Sequence, residues 1–288
     1  MKILCLSDLH RKYNTIDFTD IDVDMIIIAG DWTITESLQD VENINFLEWL
    51  EDLDIKHKLV IAGNHELLIE SDPELWQRQL KIAPSVTYLH NSGIEIEGIK
   101  FWGTPDTPCF YDWAFNRTEQ ELEEILDAVP EDTNVIISHG PPKGILDAVL
   151  EGSHVGSDSL RKKCLELPNL KACIFGHIHE SKGEQIVHGV RYMNVSYVDR
   201  GYRALEELHY LELNNNKVLF GEIPKEVLAL IKHCGSTEDV IRSLITEYEI
   251  KDGFIDSCTC IKDGEEYLTW QMMNYKPLSS GKLIDDNF

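Results

Sequence analysis

Lys2-Ile3-Leu4-Cys5-Leu6-Ser7-Asp8-Leu9-His10 sets the pattern of the chain: a short, unbroken apolar run that ends in an acid and a histidine two residues apart. The run shows no polar alternation, so it predicts a strand covered on both faces. Four more runs of the same kind follow at residues 24–29 (DMIIIA), 58–62 (KLVIA), 134–138 (NVIIS) and 171–175 (KACIF). Each also ends in polar residues: Gly30-Asp31, Gly63-Asn64-His65-Glu66, His139-Gly140-Pro141-Pro142 and Gly176-His177-Ile178-His179. Loops at the carboxyl ends of strands in open α/β sheets converge on shared sites. Asp, Asn and His are hard or borderline donors that suit Mn, Fe, Zn and similar divalent ions. D-x-H and H-x-H place two donors on one side of an extended segment. The glycines before Asp31, Asn64 and His177 suit tight strand-to-loop turns.

Between the runs, residues 41–53, 73–82 and 118–128 carry apolar stripes at helical spacing. Asp72 before Pro73 reads as an N-cap followed by proline in the first turn. Alternating strands and helices predict an α/β protein. Short segments at 93–98 with 100–103, and 185–187 with 191–195, read as hairpins, and 209–213 as a further strand, so the sheets should be mixed. Asn214, Asn215 and Asn216 form a turn signal. Beyond Pro224 the pattern changes: 226–233 and 237–248 read as helices, and 257–262 with 265–271 as a hairpin over Asp263-Gly264. The expected division is a domain over 1–213 and an appendage of unknown role over 214–288.

The five polar blocks taken in order, D-x-H, G-D, G-N-H-E, H and G-H-x-H, resemble the calcineurin-like metallophosphoesterase superfamily. The stretches HGPPKGILD (139–147) and FGHIHES (175–181) resemble its branch of small phosphodiesterases. The resemblance covers residues 1–213. It implies a layered α/β/β/α sandwich with two central mixed sheets and flanking helices. It implies two divalent metal ions (Mn, Fe, Zn, Co or Ni, with Mn favoured). Asp8, His10 and His179 would hold one ion, Asn64, His139 and His177 the other, and Asp31 would bridge them. A hydroxide shared by two such ions would attack phosphorus in line. His65 would be the catalytic residue beside the leaving oxygen rather than a ligand. Protein serine/threonine phosphatases carry G-D-x-x-D-R-G. Here Ile34 stands at the second Asp and no Arg follows, while Trp32-Thr33 fits the G-D-aromatic-T of the small phosphodiesterases.

Other residues have weaker claims. Arg11 follows D-x-H and is a candidate phosphate contact. Trp113 and Phe115 lie in the loop after a strand and are candidates for stacking on substrate, as is Trp32. Glu66 reads as orienting His65 or its loop, or capping the next helix. Asn194 and Ser196 read as holding loop architecture. His154 lies between Gly152 and Gly156 in a loop expected near the site. His57, His90, His188, His209 and His233 match no block.

Composition narrows the partners. Asp plus Glu is 51 against 26 for Lys plus Arg among 288 residues, a formal charge of −25. Such a surface repels long nucleic acid and anionic membranes, and two local cations would let an acidic protein take a small anionic phosphoester. No apolar run is long enough for a membrane span, which takes roughly 18 residues, and the apolar start before Asp8 is too short for a secretion signal. The expected compartment is the cytoplasm. The 7 cysteines are scattered with no C-x-x-C, as in reduced thiols rather than a zinc ribbon. The expected activity is metal-dependent hydrolysis of a small phosphodiester such as a cyclic nucleotide. A phosphomonoesterase, a nuclease and a non-catalytic scaffold are the alternatives.

Overall fold

The computed structural model describes residues 1–34, 39–205 and 207–213, and the backbone of 245–251, 254–262 and 265–271. The chain divides into two compact units, Met1–Asn215 and Asn216–Phe288.

The first unit holds two mixed sheets. Its elements in chain order are β1 (Lys2–Leu6), β2 (Met25–Ala29), α1 (Gln39–Asp52), β3 (His57–Ile61), α2 (Leu67–Ser71), α3 (Pro73–Gln79), β4 (Val86–Tyr88), β5 (Ser92–Ile96), β6 (Ile99–Thr104), β7 (Thr107–Pro108) and β8 (Asn116–Arg117). They continue with α4 (Glu119–Leu126), β9 (Val135–Ser138), α5 (Asp158–Glu166), β10 (Ala172–Phe175), β11 (Gly183–Val187), β12 (Val190–Asn194) and β13 (His209–Glu212). One sheet has the order β13-β1-β2-β3-β4 and the other β11-β12-β10-β9-β6-β5. β1 to β4 run parallel, and so do β6, β9, β10 and β12; the outer strands β13, β5 and β11 are antiparallel.

The unbroken apolar runs now have a physical cause. Side chains alternate across a strand. In β1, Ile3 and Cys5 face the second sheet, in a layer that includes Ile27, Ile61, Phe101, Ile137 and Ile174. Leu4 and Leu6 face the opposite way, toward Phe46, Leu47 and Leu50 of α1 and Trp76 of α3. The second sheet repeats this: Ile136, Cys173 and Phe175 pack against Leu126 of α4 and Leu160 and Cys164 of α5. Both faces of each sheet are therefore covered, giving helix, sheet, sheet and helix layers.

Local signals fix the helix starts. The Asp72 side chain accepts the Leu75 N–H ahead of α3, with Pro73 in the first turn. Thr118 and Glu121 cap α4 reciprocally. Helices α2 and α5 and strand β4 have no counterpart among the predicted elements; each is short.

In the second unit β14 (Ile245–Lys251), β15 (Phe254–Lys262) and β16 (Glu265–Gln271) form an antiparallel sheet in that order. The pairing predicted for 257–262 with 265–271 is there. The helix predicted over 237–248 is not helical at its end, because Ile245–Tyr248 pairs with β15. From Thr246 to Ile250 the sequence alternates, with Thr246, Tyr248 and Ile250 separated by Glu247 and Glu249, and that outweighs its helical spacing. The helix predicted over 226–233 lies outside the described residues.

Candidate metal centre

All five polar blocks sit beyond the carboxyl ends of parallel strands: Asp8 and His10 after β1, Asp31 after β2, Asn64 and His65 after β3, His139 after β9, and His177 and His179 after β10. Both sheets contribute. They are stitched together there by Ser7, whose N–H donates to the Val195 carbonyl at 3.0 Å and whose carbonyl accepts the Tyr197 N–H at 2.7 Å.

The blocks converge. Asp8, His10 and His179 bring donor atoms within 4.8 Å of one another, and so do Asp31, His139 and His177, and His10, Asp31 and His65. The Asn64 Oδ1 lies 2.9 Å from the His139 Nε2 and 2.7 Å from the His177 Nδ1. The Asp31 Oδ2 lies 3.3 Å from the His139 Nε2 and 3.8 Å from the His10 Nε2. The Asp8 Oδ1 lies 3.2 Å from the His179 Nε2. Asp31 is thus the carboxylate shared between the two sides.

Backbone geometry is unusual here. Asp8, His10, Asp31 and His177 all have φ between 39° and 68°. Non-glycine residues in that region cost about 1 kcal/mol or more each, and such strain gathers at functional sites. Two glycines matter for different reasons. Gly30 has φ 95°, a true turn glycine. Gly63 has no such dihedral; a Cβ there would come within 2.6 Å of the His139 ring and against the Asp31 carboxylate. Its role is close approach, not the turn that the sequence suggests.

Supporting groups set the ring orientations. The Nδ1 of His10 faces the Thr33 carbonyl at 2.9 Å, that of His139 the Ala29 carbonyl at 2.8 Å, and that of His179 the Asp199 carbonyl at 3.3 Å. A carbonyl only accepts, so each Nδ1 carries a proton and each Nε2 is left facing a carboxylate or the Asn64 oxygen. The His10 Nε2 is buried with no hydrogen-bond partner. Lone pairs facing lone pairs in a buried site need a proton or a cation between them. This is the test that a divalent cation passes: the donors converge, are held from behind, and leave between them a place that a proton or a cation must fill.

Charge follows the same logic. Burial opposes protonation of His139, but Asp31, its hydrogen bond and Asp8 outweigh burial and push the ring up to about 9. Burial and the charge on His139 push His177 down to about 4. Burial would raise Asp31, yet His139, His65 and His10 hold it well below the usual carboxylate range. Asp8 is likewise lowered against burial by His179.

Behind these groups lies Glu66, fully buried. Its carboxylate accepts the N–H of Asp31 at 2.8 Å, of Gly63 at 2.7 Å and of Thr33 at 3.0 Å, and the Thr33 hydroxyl at 3.0 Å. Burial and the Asp31 charge push it up to about 8, with the three N–H donors pulling the other way. The Ser196 hydroxyl donates to the Asp8 Oδ2 at 2.7 Å, and the Asn194 amide to the Ile178 carbonyl at 2.9 Å.

Residues 1–181 match the family described as calcineurin-like phosphoesterase. The chain belongs to the calcineurin-like phosphoesterase family. It is 32% identical over 232 residues to human Metallophosphoesterase domain-containing protein 1, covering 71% of this chain and 68% of that protein. It is 34% identical over 213 residues to a Caenorhabditis elegans UPF0046 protein, covering 70% and 71%. A crystal structure of TT1561 from Thermus thermophilus superposes with TM-score 0.54 at 13% identity, over 74% of this chain and 99% of that one, a likeness of fold. As a calcineurin-like phosphoesterase the protein is a metal-dependent phosphoester hydrolase, and the family implies divalent metal ions. Among the described residues no helix is long and apolar enough to cross a membrane.

The other candidates fare unevenly. His65 lies at the centre, its ring stacked on Trp113 at 4.4 Å, with the His65 N–H on the Asp31 Oδ1 at 2.8 Å. Trp113 is therefore beside the convergent donors. Phe115 is not: it is fully buried in the layer between the first sheet and its helices, with no face for a substrate. Trp32 is buried too, stacked on Phe46 at 4.4 Å. The exposed Arg11 guanidinium leans on Glu42 at 3.5 Å, an ion pair rather than a free anion contact. The His154 Nδ1–H donates to the buried Asp147 carboxylate at 2.6 Å, which holds its loop. Two residues close to the site lack any motif. Tyr202 sets its ring edge-on to His10 at 4.7 Å. Gln39 donates to the His65 carbonyl at 2.6 Å and accepts the Leu68 N–H at 2.7 Å.

Proposed function

We propose that the protein is a phosphodiesterase for small, singly charged phosphodiesters such as cyclic nucleotides, working with two divalent ions. The observation that carries this reading is the Asp31 carboxylate set between His10 and His139, both buried and both fixed from behind by backbone carbonyls. In it, Asp8, His10 and His179 hold one ion, Asn64, His139 and His177 the other, and Asp31 both. Such ions supply positive charge that neutralises phosphate oxygens and acidifies a water.

The remaining work belongs to side chains. His65 stands against His10 and Asp31 and donates a proton to the departing oxygen, or stabilises its charge. Trp113 and Gln39 keep it in place, the first through its ring and the second through its carbonyl. Glu66 holds the Asp31 and Gly63 backbones at fixed separation.

Preference for a diester is supported by the cations near the site. Arg11 is paired with Glu42, Arg200 with Glu180 and Arg203 with Asp199. A phosphomonoester brings a second negative charge that these paired arginines do not answer. Mn is the favoured ion. A reducing, cytoplasmic setting suits the four described cysteines, which are all free thiols.

The test is hydrolysis of bis-p-nitrophenyl phosphate against p-nitrophenyl phosphate by chelated protein resupplied with Mn. Faster diester turnover is expected. A preference for the monoester would reassign the protein to small phosphorylated metabolites.

A further inference from the structure

We propose that Phe110, Tyr111, Trp113 and Tyr202 form an aromatic collar over the metal centre that selects phosphoesters bearing a flat aromatic group, with Tyr202 as a specificity-determining residue. The inference rests on the phosphoesterase reading above and adds which esters that site prefers.

The collar stands directly on the site histidines. Trp113 stacks on His65 with rings 29° apart. Tyr202 meets His10 edge-on at 4.7 Å and His179 at 5.8 Å. Phe110 meets His177 at 6.4 Å and carries Tyr111 against it at 4.5 Å. These rings are not spent on the core. Tyr202 is 40% exposed, Phe110 53% and Tyr111 82%. Exposed apolar groups gathered at one place mark a contact surface.

The loops that carry the rings are also braced before any ligand arrives. The Asn116 amide donates to the Phe110 and Tyr111 carbonyls and its oxygen accepts the Phe110 N–H. The Ala114 N–H donates to the carbonyl of Asn64, tying the Trp113 loop to the centre. Tyr202 sits in a turn built by Asp199. That residue's carbonyl accepts the Tyr202 N–H at 2.8 Å, and its carboxylate accepts the N–H groups of Gly201 and Arg203. The same carbonyl faces the His179 Nδ1. Tyr111 and Tyr202 both have positive φ, 48° and 57°, a strained backbone that aims each ring. A platform ordered in advance loses little entropy on binding. A phosphorus atom at the metal centre must carry its ester groups past these rings, and flat π-systems stack on them.

The test compares two diesters with one leaving group and one charge, phenyl 4-nitrophenyl phosphate and methyl 4-nitrophenyl phosphate, on the full Mn-loaded chain. We expect the phenyl ester to show a KM about tenfold lower. Tyr202→Ala and Phe110→Ala should narrow that ratio toward one, and Tyr202→Phe should keep it. Calorimetry with phenylphosphonate and methylphosphonate gives a second readout that needs no turnover, and the phenyl compound should bind about tenfold more tightly. Preferential phenylphosphonate binding without hydrolysis of either ester would uphold the collar and contradict the enzymatic reading. Because both esters share the nitrophenyl ring, the phosphonates decide: hydrolysis of the esters with equal affinity for phenylphosphonate and methylphosphonate would overturn the collar and leave the phosphoesterase reading intact.

Discussion

The buried carboxylate of Glu66 accepts the backbone N–H of Asp31 at 2.8 Å, tying the loop after β3 to the loop after β2. In the proposed two-ion site Asp31 serves both halves, so Glu66 would act on the site through the Asp31 backbone rather than as a ligand.

Replacing Glu66 by Ala leaves the N–H groups of Asp31, Gly63 and Thr33 without their acceptor. At about 1 kcal/mol or more for each buried unmet donor, the loss should reach about 3 kcal/mol. Melting should drop by about 10 °C, at roughly 2–4 °C per kcal/mol. Metal affinity should weaken by about 10-fold to 100-fold, as for other groups that orient ligands. Thermal melts and metal titration of Glu66→Ala check both. A variant that melts normally and binds metal normally would show that the loops hold themselves.

The metal-free protein should lose stability as pH rises. His139 is held up to about 9 by the surrounding carboxylates, against burial. A raised folded value stabilises the fold below the unfolded value of about 6.5, and that contribution disappears as pH passes through the folded value. Glu66, held up to about 8, adds a slope of the same sign above its own unfolded value. Melts in chelator should therefore fall between pH 6.5 and 9. Saturating Mn should remove the His139 part, since the cation takes the place of the proton. Identical pH slopes with and without Mn would refute that exchange.

His65 lies close enough to His10 and Asp31 to be a ligand by distance alone. Our assignment gives it proton transfer instead. His65→Ala should then retain its full metal content and lose turnover by about 10²-fold to 10⁴-fold. Loss of an ion alongside activity would make His65 a ligand.

Asp147 is buried and accepts the N–H groups of Gly144 and Gly156 at 2.9 Å each, as well as pairing with His154. Its pKa is lowered, with burial opposing and the His154 and backbone bonds prevailing. A lowered carboxyl stabilises the fold above its unfolded value and loses that effect as pH falls through the folded one. Asp147→Ala should destabilise by about 2–3 kcal/mol at about pH 7 and less below about pH 4. Urea unfolding at the two pH values measures this. An equal cost at both would mean the carboxylate charge contributes nothing.

Much of this was legible in the residues because strand burial and strand-end chemistry are local signals. Ile3, Leu4, Cys5 and Leu6 read as a doubly covered strand and are one, since two sheets and two helix layers leave no wet face. The polar blocks were visible because each ends such a run. What escaped depends on contacts far apart in sequence. Phe115 and Trp113 are two residues apart in one loop, yet one faces the core and the other the histidine. No periodicity in so short a loop separates them. Tyr202 approaches His10 from the far end of the domain, through a turn that only Asp199 explains. Residues 245–248 misled because helical and strand spacing overlap over a few residues, and pairing with β15 decided between them.

The central claim is that two cations share Asp31. Metal analysis of the Mn-loaded full-length protein beside Asp31→Asn, with electron paramagnetic resonance of both, addresses it most directly. Two Mn per chain with a spin-coupled spectrum in the unaltered protein, and weakened binding at both positions in Asp31→Asn, is the predicted result. One Mn per chain, or the loss of a single ion in Asp31→Asn with the other bound as before, would contradict it.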